Sequence, residues 1–152
     1  MSRADKAEEL FRQGCNCSQS VFVAFCDVLG MDEKAALRLS STFGGGMGKL
    51  REVCGAVTGA FMVLGVLYGY DDVTSQEEKV RTYKMIQDFA SDYKEEKGTI
   101  ICRELLGLKE GEDLPEPAIR TEEYYQTRPC IGACRYAAEL VERVIKEKSI
   151  DK

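Results

Sequence analysis

Hydrophobic residues recur along this chain with the spacing of α-helices. Apolar positions lie three and four residues apart in almost every segment, and no segment alternates apolar with polar residues as a half-buried strand does. We therefore expect an all-α protein. The 152 residues suit a single domain over residues 1–152, folded as a compact bundle of about five to seven helices around a buried glycine-rich central helix.

Capping residues and glycines set the expected helix boundaries. A Ser, Asn or Asp before an apolar run caps a helix start, and a glycine often marks a helix end. The expected helices span residues 2–14, 16–30, 32–42, about 50–68, 75–98 and 99–106, with a last helix that begins at residue 129. Residues 107–128 hold two of the three prolines and a cluster of acids, so we expect a long loop there.

Residues 53–70 form a long uncharged segment. Such a segment is long enough to cross a membrane, so a membrane span is one interpretation. Its glycines and its threonine lower the hydrophobicity, however, and the amphipathic helices around it need an apolar partner in a folded core. We therefore expect a buried helix and no membrane span. Gly55, Gly59, Gly65 and Gly69 would let neighbouring backbones approach this helix closely.

The charge balance narrows the range of partners. The net charge is -5 and the pI is about 5.0, whereas nucleic acids and anionic membranes attract clustered Lys and Arg. We expect no nucleic-acid partner, and instead a partner protein or a small molecule. The chain contains no histidine, which excludes Cys-His proteases, Ser-His-Asp hydrolases and His-ligated zinc or haem sites.

The chemistry that remains centres on cysteine. Seven cysteines without a secretory signal indicate a cytoplasmic location, where thiols stay free unless they are catalytic, redox-sensing or metal-bound. No CxxC motif is present, so any pair or cluster must be assembled by the fold. Four of the seven lie near expected helix starts, namely Cys17, Cys54, Cys102 and Cys130.

The start of a helix favours a thiolate over a thiol. Unpaired backbone N–H groups and the helix dipole stabilise an anion there by about 0.3–1 kcal/mol, and nearby cations act in the same direction. Arg51, Arg103 and Arg128 lie within three residues of these cysteines. We therefore expect the four thiols to have lowered pKa values and to converge on one site, with Cys54 as the central reactive sulfur. Packing as a small apolar side chain is the alternative for each cysteine.

The other three cysteines have different expected positions. Cys26 lies half a turn out of phase with Cys17, which predicts a core position, and Cys15 precedes the helix and should be exposed. Cys134 lies one turn after Cys130, so both occupy the same helix face. The two can share a metal or a disulfide, or Cys134 can simply pack inward. Whether Cys130 or Cys134 is the fourth site residue stays open.

A glycine-rich loop, FGGGMGK, precedes Cys54. Gly44, Gly45, Gly46 and Gly48 permit positive φ and leave backbone N–H groups uncovered, which suits an anion-binding nest or the close approach of a cofactor. The loop matches neither GxGxxG nor a P-loop, since the lysine is not followed by Ser or Thr. A sharp turn between two packed helices is the alternative interpretation.

Four segments carry a family resemblance: GCNCSQSV at 14–21, FGGGMGKLREVCGAVTG at 43–59, CRELLG at 102–107 and C-x6-AAEL at 130–140. They resemble the C_GCAxxG_C_C family of redox-active proteins. The resemblance implies a small cytoplasmic protein of bacteria or archaea, whose signature cysteines correspond here to Cys17, Cys54, Cys102 and Cys130. A similar segment occurs in haem proteins of the split-Soret type, which bear an additional iron–sulfur centre. The present chain has no CxxCH motif, so haem is not implied.

Three functions are compatible with these features. The first is thiol/disulfide exchange or electron transfer by the four cysteines, with a redox partner protein or small molecule. The second is a metal-binding or metal-sensing module without turnover, in which the same cysteines hold a [2Fe–2S] cluster or another thiolate-bound metal. The third is a helical domain that acts by protein contact. Glycine-lined helix faces and the acidic loop also make a homodimer compatible with the sequence.

Overall fold

A computed structural model describes residues 1–109, 113 and 116–150. Within these residues the protein is all-α, as predicted, and its β-structure is limited to an antiparallel bridge between Val53 and Ile101. The helices are α1 (Arg3–Arg12), α2 (Cys17–Val23), α3 (Cys26–Leu29), α4 (Glu33–Ser41), α5 (Gly44–Met47), α6 (Gly55–Tyr68), α7 (Gln76–Lys97), α8 (Cys102–Leu106), α9 (Glu122–Thr127) and α10 (Cys130–Ile150).

Side-chain caps fix several helix starts where they were expected. Ser2 caps α1 and Ser75 caps α7, each by accepting a hydrogen bond from a backbone N–H of the first turn. Asn16 and Gln19 form a reciprocal capping box at α2. These caps satisfy backbone donors that the first turn of a helix leaves unpaired. As a result, Cys17 is held as the first residue of α2.

Three expected boundaries differ from the structure. The predicted helix 16–30 divides into α2 and α3, because Phe25 leaves helical geometry (φ -109°, ψ 8°). The helix expected from about residue 50 begins at Gly55, because residues 52–54 pair with residues 100–102 instead. The predicted loop 107–128 contains α9, which Thr121 caps. Part of that predicted loop, residues 110–112, 114 and 115, lies outside the described residues.

The core lies between the longer helices. Helices α2 and α10 contact each other, and both contact α1 and α6. Helix α6 also contacts α3, α5 and α7, and its residues 55–60 are buried, whereas Gly65 and Val66 near its end are exposed. Burying a large apolar side chain contributes about 1.5–3 kcal/mol. Fully buried examples are Phe11, Phe22, Phe25, Leu64 and Leu140.

The uncharged segment 53–70 was also considered as a membrane span. Across the described part of the chain, no helix combines the length and the apolar character that crossing a bilayer requires.

Gly59 sets the separation between α6 and α2. A Cβ atom at this position would lie only 2.7 Å from the backbone O of Ser18 and 3.2 Å from the Cβ of Val21. At Gly55, one turn earlier, a Cβ would lie 3.0 Å from the backbone N of Ser18. The two helices therefore meet backbone to backbone, which only glycine permits. This close contact places the start of α6 beside Cys17, the residue that precedes Ser18.

Replacing Gly59 by Ala is expected to lower the free energy of unfolding by about 1–3 kcal/mol, because the added methyl group must push α6 away from α2. The matched control is Gly65→Ala in the same helix, where an added Cβ meets nothing within 4 Å. That variant should be neutral or more stable by up to about 1 kcal/mol. Urea unfolding measures both changes, and equal stabilities of the two variants would contradict the backbone contact.

Candidate functional site

The glycine-rich loop forms a left-handed turn. The short helical segment α5 contains Gly45 (φ 68°, ψ 27°) and Gly46 (φ 72°, ψ 52°), which do not have right-handed helical geometry. Positive φ continues at Met47, Gly48, Lys49 and Arg51. This conformation costs a residue with a side chain about 1–2 kcal/mol. The turn is held by hydrogen bonds from the Arg51 N–H to the Gly45 O at 3.1 Å and from the Glu52 N–H to the Gly46 O at 2.8 Å.

Gly46 is the point of closest packing in this turn. A Cβ atom on Gly46 would lie 2.7 Å from the Cα of Arg51, from the backbone N of Glu52 and from the Cβ of Cys102. No side chain fits there without moving backbone atoms. The turn can therefore fold back against both the segment that follows it and the start of α8.

The segment after the turn pairs with the segment that leads into α8. The Cys54 N–H donates to the Ile100 O at 2.7 Å, and the Cys102 N–H donates to the Glu52 O at 2.6 Å. Cys54 is consequently the residue immediately before α6, rather than one turn inside the helix as expected, and Cys102 is the first residue of α8. Two cysteines far apart in the chain are thus fixed next to each other by backbone hydrogen bonds.

All four predicted site cysteines line one cavity of about 340 Å³. Cys17 opens α2, Cys54 directly precedes α6, Cys102 opens α8 and Cys130 opens α10. The glycines expected to bind a cofactor line the same cavity, and these are Gly44, Gly45, Gly46 and Gly48. The structure therefore brings every residue of the predicted site into the wall of a single cavity.

Cys130, and not Cys134, faces this cavity. Cys134 is fully buried, and its Sγ donates to the backbone O of Cys17 at 3.8 Å. The Cys17 thiol shifts the pKa of both Cys130 and Cys134, and both shift the pKa of Cys17. The three thiols therefore form one group whose titrations depend on one another. The one-turn spacing of Cys130 and Cys134 is the sequence signal that placed both on the face toward α2.

Cys15 and Cys26 lie outside the cavity wall. Both are partly buried and pack against the hydrophobic core. Cys15 is therefore less exposed than expected, and Cys26 less deeply buried. All seven cysteines are free thiols in this structure.

A metal site was expected at Cys17, Cys54, Cys102 and Cys130. Among the residues that the structure describes, no group of three or more Cys, Asp or Glu side chains is arranged to hold a metal ion. The thiol donors have the chemistry that iron or copper(I) prefers, but their arrangement does not fit such a group. The metal-ligand role of these cysteines stays a prediction.

The sequence model of one protein family, described as "Putative redox-active protein (C_GCAxxG_C_C)", matches residues 15–144. This match covers most of the chain and all four cysteines of the cavity. The chain belongs to the C_GCAxxG_C_C family. Comparison with curated proteins and with solved structures gives no match.

Burial raises the pKa of the cavity thiols instead of lowering it. Burial raises the pKa of Cys54 to about 11. Burial likewise raises the pKa of Cys102, although Arg51 lowers it by donating from its Nη1 to the Cys102 Sγ at 3.5 Å. The lowered pKa values expected from the helix starts are therefore wrong. The free-energy cost of removing a thiolate from water is larger than its stabilisation by the helix start and by the nearby cation.

The pKa values of Cys17 and Cys130, on the other side of the cavity, are raised as well. The interaction with Cys130 lowers the pKa of Cys17. The interaction with Cys134 and burial together raise it by more, so that the pKa of Cys17 stands well above its ordinary value. The interaction with Cys17, together with burial, raises the pKa of Cys130. These thiols are consequently protonated at neutral pH.

Charged groups surround the cavity on the side of the glycine turn. Arg51 is only 6% exposed and forms an ion pair with Asp113, whose Oδ2 accepts from the Arg51 Nε at 2.5 Å. The Arg51 guanidinium holds the pKa of the Asp113 carboxyl well below its usual range. Lys49 contacts the same carboxylate at 3.4 Å. One carboxylate thus bridges two cations that lie beside the strained turn.

Two neighbours of the site were not singled out from the sequence. Arg120 lines the cavity and donates to the backbone O atoms of Phe11 and Cys15. Its place in an expected loop offered no signal of this role. Tyr93 is fully buried, and its Oη lies 3.9 Å from the Cys54 Sγ. A tyrosine on the apolar face of α7 was the available signal for that contact.

Protein stability should fall as the pH rises from about 9 to about 11. An unfolded chain releases the Cys54 proton near the ordinary pKa of 9.0, whereas the folded chain holds it up to about 11. Between these values the unfolded state binds fewer protons, so the free energy of unfolding falls with rising pH, whereas below pH 9 both states keep the proton and stability is fully retained. Cys54→Ala should flatten the fall, as measured by urea unfolding across a pH series.

Val57→Ala provides the control for this pH series. Val57 is fully buried in the first turn of α6, near Cys54, but carries no titratable group. Its truncation should lower stability by a similar amount at every pH. If Cys54→Ala left the alkaline slope unchanged from the wild type, the raised pKa of Cys54 would be wrong.

Proposed function

We propose that this protein is a thiol redox protein that exchanges dithiol and disulfide states within the cysteine-lined cavity. The observation that carries the proposal is the convergence of Cys17, Cys54, Cys102 and Cys130, from four separate helix starts, on one cavity of about 340 Å³. Membership of a family described by redox activity supports the same class of chemistry. Buried structural cysteines have no need of a shared cavity.

Cys17 and Cys130 are the pair best placed to exchange. Each residue is the first of its helix, helices α2 and α10 pack against each other, and each thiol shifts the pKa of the other. Both are partly exposed, whereas Cys54 and Cys102 are buried. We therefore assign the first attack to Cys17, in place of the role that the sequence suggested for Cys54.

The proposed reaction transfers two electrons from the cysteine pair to a substrate disulfide. The Cys17 thiol loses its proton and attacks one sulfur of the substrate, which forms a mixed disulfide and releases the first substrate thiol with a proton. The Cys130 thiol then loses its proton and attacks the Cys17 sulfur. This step forms the Cys17–Cys130 disulfide and releases the second substrate thiol. The substrate disulfide is reduced to two thiols, and the reverse sequence regenerates the dithiol form.

Cys17→Ser and Cys130→Ser should each abolish the internal disulfide and slow the complete reduction of a small disulfide by at least about tenfold. The disulfide is detected by differential alkylation and peptide mass spectrometry. Cys26→Ser, which removes a partly buried thiol outside the cavity, should keep the wild-type rate. A wild-type rate in both cavity variants would overturn the proposal.

An absorption spectrum of anaerobically purified protein, with iron and labile sulfide analysis, tests the metal-binding alternative. The thiol-exchange proposal expects no stoichiometric iron or sulfide and a reversible loss of two thiols on oxidation. A stoichiometric iron–sulfur chromophore that resists thiol alkylation would favour the metal module and overturn exchange by Cys17 and Cys130.

A further inference from the structure

The wall of the cysteine cavity is positively charged. Lys49, Arg51, Arg120 and Arg128 all contribute to it, whereas none of its described lining residues is Asp or Glu. The chain as a whole has the opposite balance, with a net charge of -5. A positively charged cavity in a protein of negative net charge attracts anionic ligands.

Two of these cations lack a carboxylate partner within the described part of the chain. Asp113 pairs with Arg51 and Lys49, but no described Asp or Glu forms an ion pair with Arg120 or Arg128. Arg120 is held by the neutral carbonyl groups of Phe11 and Cys15 and lies over the Phe11 ring at 4.1 Å. Its charge is therefore positioned but not neutralised.

Arg128 and Arg120 approach the same aromatic ring. The Cζ atoms lie 5.2 Å and 5.7 Å, respectively, from the ring centroid of Tyr124, which also lines the cavity. Both guanidinium groups lower the pKa of Cys130 through their charge. The two uncompensated positive charges therefore lie on the same part of the cavity wall, where they would stabilise a bound anion.

We propose that the substrate of this site is a small disulfide that carries carboxylate groups, bound by Arg128 and Arg120 next to Cys130. This inference rests on the proposed thiol-exchange function. Guanidinium groups bind carboxylates through two parallel hydrogen bonds, which fixes orientation as well as charge. The arginines select the carboxylate of the substrate, and its sulfurs then face the Cys17–Cys130 pair.

The size and the remaining lining of the cavity agree with a small ligand. A volume of about 340 Å³ lies at the lower end of the range of about 300–1,000 Å³ for small-molecule sites. Phe11, Leu105, Leu106 and Ala118 supply apolar surface, which suits the methylene groups next to a disulfide. A folded protein could present only a narrow loop to such a site.

Three size-matched disulfides test the charge preference: dithiodipropionate is anionic, hydroxyethyl disulfide is neutral and cystamine is cationic. Rates are divided by the rates of the same compounds with a free small thiol, which removes their intrinsic reactivity. Wild-type protein should then prefer dithiodipropionate to cystamine by about tenfold at low salt, and less at high salt. Equal normalised rates, or a preference for cystamine, would overturn the anionic substrate class.

Arg128→Gln should reduce that preference at least about threefold, because it removes one of the two uncompensated charges. The matched control is Arg103→Gln, whose side chain lies beside Cys102 in sequence but does not line the cavity. It should keep the wild-type preference. A preference that persists in Arg128→Gln would overturn the assignment of Arg128.

Suberate separates binding from redox chemistry, since it resembles dithiodipropionate with both sulfurs replaced by methylene groups. It should slow the alkylation of Cys130 by iodoacetamide in the wild type and have little effect in Arg128→Gln. Failure of suberate to protect the wild type would overturn the carboxylate site. If the Cys17–Cys130 disulfide still formed with a protein disulfide as oxidant, the redox function would survive that failure.

Discussion

The left-handed backbone at residues 45–51 is the constraint on which the site depends. Gly46 tolerates the conformation and the close packing, but Met47, Lys49 and Arg51 adopt it at a cost. Hydrogen bonds from the backbone of Arg51 and Glu52 offset part of that cost. Strained residues persist where the surrounding structure over-determines them, and they cluster at functional sites. Here the strain reverses the chain, so that the segment before α6 pairs with the segment before α8.

Burial decides the chemical state of the sulfurs. Four helix starts supply positive potential, and Arg51 donates directly to Cys102. Even so, the cavity thiols have raised pKa values, because burial outweighs these effects at Cys54 and Cys102 and adds to the influence of neighbouring thiols at Cys17 and Cys130. This distinguishes the site from exposed, low-pKa cysteines that react quickly with many oxidants. Reaction here depends on a substrate that enters the cavity and on a proton that can leave it.

Local signals in the sequence predicted the all-α fold and the four cysteines that line the cavity. Asn16 and Gln19 cap α2, and Pro129 precedes α10, so the positions of Cys17 and Cys130 at helix starts could be predicted. Helix α9 was missed although Thr121 and the acids after it are typical of a helix start, because nearby prolines favoured a loop.

Features that depend on contacts between distant residues could not be predicted. The start of α6 is set by pairing between residues 52–54 and 100–102, which no periodicity encodes. The sign of the pKa shifts depends on how deeply the fold buries each thiol, and sequence position alone does not determine that depth. Arg120 reaches the cavity from a segment that had no recognisable pattern.

The proposed disulfide between Cys17 and Cys130 would join residues near opposite ends of the chain. Helices α2 and α10 already pack together, so a covalent bond between their first residues would need little rearrangement of the folded state. Its main effect would fall on the unfolded chain, since closing a loop on the order of 100 residues restricts that ensemble by about 4–5 kcal/mol in the chain-entropy model. Oxidation would therefore mainly increase the free energy of unfolding. The oxidised protein would unfold less often than the reduced protein and so be degraded more slowly.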